Sequence, residues 1–224
     1  MSDRAPLVCT SPPDEGVVLL TLDRAEKTNA LSIALRDEVA DTLDGLAGDE
    51  SVKVVVITGA GDVFSAGFDL REFEQPELAD ELWASSDRFH ATVLQFPLPL
   101  VAAVNGPALA GGFDLAVMCD LRVAADTARF AHPEITFGDV VYGPLHDLVG
   151  GAVARELCFT GRVVRADEAK ALGLVSAVVP GGELLAAVAG YTDAIVRAPR
   201  DVLQRTKAKA IRRARITTGP TLDL

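Results

Sequence analysis

Apolar and polar positions divide the chain into short apolar runs, each closed by turn residues, and longer segments with apolar residues at near-helical spacing. Residues 6–22 predict a hairpin: an apolar 7–10 run, a Pro12-Pro13-Asp14-Glu15-Gly16 turn, then an apolar run over 17–22. After a polar loop at 23–29, Ser32 is placed to cap a helix whose apolar positions are Ile33, Leu35, Val39, Leu43 and Leu46, ending at Gly48. The run 52–57 predicts a buried strand that ends at Thr58-Gly-Ala-Gly61. A glycine-containing bend over 64–70 follows, with Asp69 capping or preceding a short helix, and 76–95 reads as helical. The run 98–104 is a second buried strand, broken by Asn105-Gly106-Pro107, and the apolar run 113–118 after Gly111-Gly112 is a helix. Short strands are expected at 121–125 and 128–131 around Asp126-Thr127. Helices are expected at 144–160, 167–172, 183–197 and 199–215, with a late strand over 173–179. No clean repeat exists in the residues, but strand, strand, helix recurs as an order of elements, which points to an α/β protein.

Composition narrows the class. With 224 residues, 49% apolar and 24% charged, the chain suits one folded domain with a sizeable core, with a C-terminal extension at most. A net charge of -11 argues against nucleic acid or an anionic membrane as partner. The balance is uneven, because residues 197–215 hold eight basic side chains and one acid, Asp201. That run reads as a solvated helix face, or as a surface for an acidic partner or a ligand's phosphates. Cys9, Cys119 and Cys158 are too few and too far apart for a disulfide framework or a zinc site, which fits a reducing cytoplasm. The first residues lack the apolar core of a signal peptide, and the uncharged run 91–113 is broken by prolines and glycines, so no membrane span is expected.

The candidate chemistry lies around residues 101–120. Two adjacent glycines at a helix start let another group approach the backbone, and the first amides of a helix have no intrahelical partner. Asp114, just inside that helix, is the only Asp, Glu, Lys or Arg between Arg88 and Asp120. It either stabilises the helix N-terminus or carries a chemical role. Two glycine-bearing turns that each follow a strand can each offer one amide. If those of Phe68 and Gly111 face one point, they form an oxyanion hole for an enolate, beside which Asp114 and Glu134 can move protons.

These features resemble the enoyl-CoA hydratase/isomerase, or crotonase, superfamily. The resemblance spans residues 6–215 and is carried by Asn29-Ala-Leu31, Val54-Val-Val-Ile-Thr-Gly59, Phe64-Ser-Ala-Gly-Phe-Asp-Leu70, Ala103-Val-Asn-Gly106, Ala110-Gly-Gly-Phe-Asp-Leu115, Cys119-Asp-Leu-Arg122, Phe130-Ala-His-Pro-Glu134 and Thr160-Gly161. It implies an α/β spiral of repeated ββα units, with a core over 1–180 and a short helical C-terminal region over 181–224. It implies catalytic roles for the amides of Phe68 and Gly111 and for Asp114, which would activate water, and Glu134, which would deliver a proton to the α carbon. Coenzyme A, as part of an acyl-CoA substrate, would meet Arg24, Lys27, Ala66, Asp69 and Leu70, with Phe113 and Tyr142 near the acyl group. No metal or separate cofactor is implied, and the assembly would be a homotrimer or a hexamer.

Three departures bear on the reaction. Hydratases of the family usually carry Glu where this chain has Asp114, one methylene shorter. Asp there resembles the dienoyl-CoA isomerases, but their further acid falls on Tyr142. The loop 138–150 is about one helical turn shorter than the family's glycine-rich loop, and places Tyr142, His146 and Asp147 near the acyl pocket; His146 reads as structural. The chain also stops soon after its basic helix, with 217–224 as a tail, so the site is expected to be open or closed by a partner subunit. The leading expectation is hydration of 2-enoyl-CoA esters. An isomerase, a thioester or β-diketone hydrolase, and a non-catalytic acyl-CoA binder are the alternatives.

Overall fold

The computed structural model describes residues 6–216 and 219–224; residues 1–5, where no signal peptide was expected, and two residues of the expected tail lie outside them. The expected hairpin forms from β1 (Val8–Thr10) and β2 (Val17–Leu22), antiparallel with Val8 opposite Leu22. Ser32 caps α1 (Ile33–Gly48), its hydroxyl accepting from the Leu35 amide. Then come β3 (Val54–Gly59), the single-turn α2 (Leu70–Phe73) and α3 (Ala79–Gln95). The central stretch supplies β4 (Leu100–Val104), β5 (Ala108–Leu109) and α4 (Gly111–Met118). The chain continues through β6 (Leu121–Ala125), β7 (Arg129–Ala131), α5 (Gly143–Thr160), β8 (Val164–Arg165), α6 (Ala166–Ala171), β9 (Ala177–Val179), α7 (Leu184–Val196) and α8 (Arg200–Ala214).

Six strands form one sheet in the order β1-β2-β3-β4-β6-β9, parallel except at β1. Its central strands are continuous apolar runs because both faces are covered. Val55, Ile57, Leu100, Ala102 and Val104 face the main core, while the alternating Val54, Val56, Val101 and Ala103 face Leu184 and Val188 of α7. The C-terminal region expected from residue 181 therefore begins with a helix packed on this sheet.

β5, β7 and β8 form a second, small sheet, so the two strands expected around Asp126-Thr127 belong to different sheets. Isolated parallel bridges, Leu31 with Phe68 and Ser65 with Ala108, extend the same stacking. The recurring order is thus a long strand, a short pairing segment and a helix: β3, Ser65 and α3; β4, β5 and α4; β6, β7 and α5.

Three expectations are corrected. The helix expected over 144–160 is broken at Gly150, whose φ of 75° and ψ of 162° leave the helical region. The basic face of α8 is partly inward: Lys207 is buried and paired with Asp120 at 2.5 Å, and Arg200 donates to the carbonyls of Val52 and Ala47. The end of the chain also folds back, for Thr221 is buried and bonded to Asp87. Among the described residues no helix is long and apolar enough to cross a membrane.

Candidate active site

The two glycine-bearing turns meet. The amide of Leu31 donates to the Gly67 carbonyl, and Ser65 Oγ accepts from the Gly67 amide while donating to the Asn29 carbonyl, which fixes the turn before Phe68. Gly67 has φ of +89°, and a Cβ there would stand 2.7 Å from Ala110 Cβ and 3.1 Å from the Gly111 nitrogen. The second turn is strained. Ala110, the residue before α4, has φ of 51° and ψ of -131°, a conformation that costs a non-glycine residue about 1–3 kcal/mol. It is held by its amide, which donates to Ala131, and by its carbonyl, which accepts from Phe113 and Asp114. The amides of Phe68 and Gly111 donate to no protein acceptor among the described residues. Two unspent donors on adjoining turns are the elements of an oxyanion hole.

The strain aims α4, and α4 carries Asp114. Every residue of this helix is buried, Asp114 included at 6% exposure. Glu134 stands on a short 3-10 turn, Pro133–Thr136, that follows β7. Between the acids lies His132, 1% exposed, its Nδ1 2.9 Å from Glu134 Oε1 and 3.7 Å from Asp114 Oδ1. Burial pushes Asp114 up to about 7, opposed by His132 and reinforced by Glu134. Burial pulls His132 down, but its hydrogen bond to Glu134 and the two carboxylates outweigh that, and its net shift is upward. Asp114 Oδ1, Glu134 Oε2 and His132 Nε2 are buried without a hydrogen-bond partner, as groups awaiting a ligand would be.

One atom from each of these three residues lies within 4.8 Å of the others, close enough to consider a cation. Nδ1 of His132, however, is engaged with Glu134 at hydrogen-bond distance, and the trio reads as a hydrogen-bonded His132–Glu134 pair with the Asp114 carboxylate beside it.

The expected binding residues are dispersed around the first turn. Arg24 pairs with Asp69 at 2.8 Å and donates to the Ala30 carbonyl, and Asp69 caps α2. Lys27 and Leu70 are exposed, and Ala66 is half-buried with its amide on the Thr28 carbonyl. Phe113, expected at the acyl pocket or in the core, is fully buried, with ring centroids 5.4 Å from Phe130 and 4.6 Å from His132, so it backs the acids. Tyr142 packs on the main core and against His146, which is exposed. A cavity of about 350 Å³ beside Pro144, Asp147 and Leu148 is walled by the far end of α4 and by α8, and neither Asp114 nor Glu134 lines it.

A sequence profile of the family described as enoyl-CoA hydratase/isomerase matches residues 13–222. The chain belongs to that family. It is 36% identical over 207 residues to the 2,3-dehydroadipyl-CoA hydratase of Escherichia coli, covering 87% of this chain and 81% of that protein. An enoyl-CoA hydratase from Mycobacterium smegmatis superposes with a TM-score of 0.87 at 36% identity, over 95% of this chain and 85% of that one. A monofunctional enoyl-CoA isomerase of the same organism superposes at 0.82 with 30% identity, covering 94% and 95%. Hydratases and an isomerase share the scaffold, so the enoyl-CoA hydratase/isomerase fold is settled and the reaction must be argued from the site.

Two residues of this family member escaped the sequence reading. His132 stands inside the motif Phe130-Ala-His-Pro-Glu134 with no role of its own implied, and a histidine two residues before the second acid was the available signal. Arg36 reads as a polar position of an amphipathic helix, yet it is fully buried behind Phe68, with its guanidinium 4.4 Å from that ring's centroid.

Proposed function

We propose that the chain hydrates 2-enoyl-CoA thioesters. The observation that carries this reading is the convergence of two carboxylates, Asp114 and Glu134, beside two amides with no protein acceptor. The thioester oxygen is held by the amides of Phe68 and Gly111, which stabilise the enolate as charge develops on it. Asp114 accepts a proton from water as its oxygen bonds to the β carbon, and the electron pair of the double bond moves through the α carbon to the thioester oxygen. Glu134, which enters the step protonated, gives that proton to the α carbon as the enolate collapses, and the proton left on Asp114 restores Glu134 before the next turnover. The atoms of one water are added and no redox change occurs. A shift of the double bond needs one proton shuttle only, so retention of both acids favours hydration.

In the same reading, the CoA nucleotide lies along the 24–29 loop and the 66–70 segment, with Arg24, Lys27, Ala66, Asp69 and Leu70 as contacts and Tyr142 toward the acyl side. No metal or separate cofactor takes part. The protein assembles as a homotrimer or hexamer and works on acyl-CoA in fatty acid metabolism in the cytoplasm. Exposed apolar side chains such as Phe137, Phe159 and Val163 support a subunit interface.

Crotonyl-CoA tests the reaction. The enoyl absorbance should fall with formation of a product heavier by one water, and Asp114→Asn and Glu134→Gln should each lose this turnover while still binding the ester. Binding without hydration by the unaltered chain would overturn the proposal in favour of isomerase, hydrolase or binder.

A further inference from the structure

His132 has no part in the steps above, yet it is the group that joins the two acids. Its ring is fixed on one face by Phe113, at 4.6 Å between centroids and 33° between planes. Its Nδ1 faces Glu134 Oε1 at 2.9 Å, and with the proton that Glu134 delivers carried on Oε2, Oε1 can only accept, so the proton at that contact is assigned to Nδ1. One Glu134 oxygen is thereby occupied. The other, Oε2, is buried with no partner.

We propose that His132 is the positioning residue of the acid pair: its Nδ1–H clamps Oε1 of Glu134, which turns Oε2 toward the reacting carbon, and its charge balances the ionised member of the pair. The inference rests on the reading of Glu134 as the group that serves the α carbon.

Charge supports the assignment. The ionised member of the acid pair is poorly solvated in so dry a site, and an imidazolium between the two acids reduces the net charge of the trio from -1 to 0. The directions agree, since Asp114 is pushed up by burial while His132 is held up, against burial, by its bond to Glu134 and by both acids. The charged groups acting on the imidazole are those two carboxylates, from α4 and from the 3-10 turn. From α5, Cys158 feels both acids as well, but burial pushes its thiol up to about 11 and keeps it neutral. A residue that merely filled space would need neither the hydrogen bond nor the charge.

Two readouts test the role. The first is the titration of the His132 Cε1 proton by NMR, assigned by its loss in His132→Gln. Its midpoint should fall by about one unit or more in Glu134→Gln or in Asp114→Asn. The second is kinetic. His132→Leu should lower kcat about 10–100-fold with KM little changed. His132→Gln, which keeps a donor, should regain most of that rate, with a pH profile lacking the limb that belongs to the imidazole.

A His132 midpoint unmoved in both acid variants would overturn the proposal, as would full activity in His132→Leu or a His132→Gln profile that superposes on the unaltered one. The NMR arm needs no turnover. If coupling is seen while crotonyl-CoA is not hydrated, the clamp stands and the hydratase reading fails.

Discussion

Replacing Gly67 by alanine puts the oxyanion turn under a load that can be worked from its geometry. The backbone has φ of +89°, and the new Cβ would lie 2.7 Å from Ala110 Cβ, 2.9 Å from the Leu109 oxygen and 3.1 Å from the Gly111 nitrogen. None of these atoms ends a flexible side chain, so backbone must move. Positive φ costs an alanine about 1–2 kcal/mol, and overpacking against fixed neighbours adds about 1–3 kcal/mol. The sum, about 2–5 kcal/mol, should lower Tm by roughly 4–20 °C in a chain of this size. Function should suffer more, because the displaced backbone carries both amides, and loss of one oxyanion donor costs about 100–1,000-fold in kcat. Gly173→Ala is the control: its φ is +77°, but nothing lies within 4 Å of the new Cβ. It carries the conformational cost alone, roughly 2–8 °C, with turnover unchanged. Crotonyl-CoA hydration and thermal unfolding, measured on both variants, separate the effects. Equal kcat in Gly67→Ala and Gly173→Ala would refute the placement of the hole between these turns.

Arg36→Met should destabilise the fold by about 2–6 kcal/mol, since it strands the carbonyls of Leu31 and Leu82, now bonded at 2.6 and 3.1 Å, at about 1–3 kcal/mol each. Urea unfolding reads this directly, and an unchanged midpoint would show that the buried guanidinium is replaceable. His90 is 1% exposed, and burial pulls its pKa down from 6.5 to about 4. Between those values the unfolded chain binds a proton that the folded chain does not, so stability falls as pH drops through the window, by about 1.4 kcal/mol per unit and about 3 kcal/mol in all. Below about 4 the contribution levels off. His90→Leu should remove this slope, and stability curves for the two proteins that run parallel from pH 7 to 4 would contradict it.

The order of elements was legible because apolar periodicity is local. Strands β3 and β4 begin two residues later than the runs at 52 and 98, because burial alone decides the run and pairing decides the strand. Val52, for instance, is fully buried but its amide closes a turn on Asp49. The break at Gly150 carried a local signal, the Gly150-Gly151 pair, that apolar spacing over 144–160 masked. The two acids and the two amides were legible through motifs. Arg36 was not, since its partners Leu82 and Ser85 lie 46 and 49 residues away, and no window along the chain joins them. Phe113 was left open between pocket and core for a related reason: apolar character cannot separate a pocket wall from a residue sealed behind a buried histidine.

The strain at Ala110 explains how the two halves of the site keep their spacing. An alanine with φ of 51° relaxes unless its neighbours prevent it. Here α4, buried along its whole length, is joined to the Ala110 carbonyl by the amides of Phe113 and Asp114, while the Ala110 amide is joined to Ala131 at 2.9 Å. Ala131 is the last residue of β7, followed directly by His132, and Glu134 stands on the next turn. One strained residue thus sits between the helix bearing Gly111 and Asp114 and the strand that leads to the second acid. Movement of Ala110 would shift amide and carboxylates together, so the conformation that breaks the local backbone rule is also the one that fixes donor and acids in a single frame.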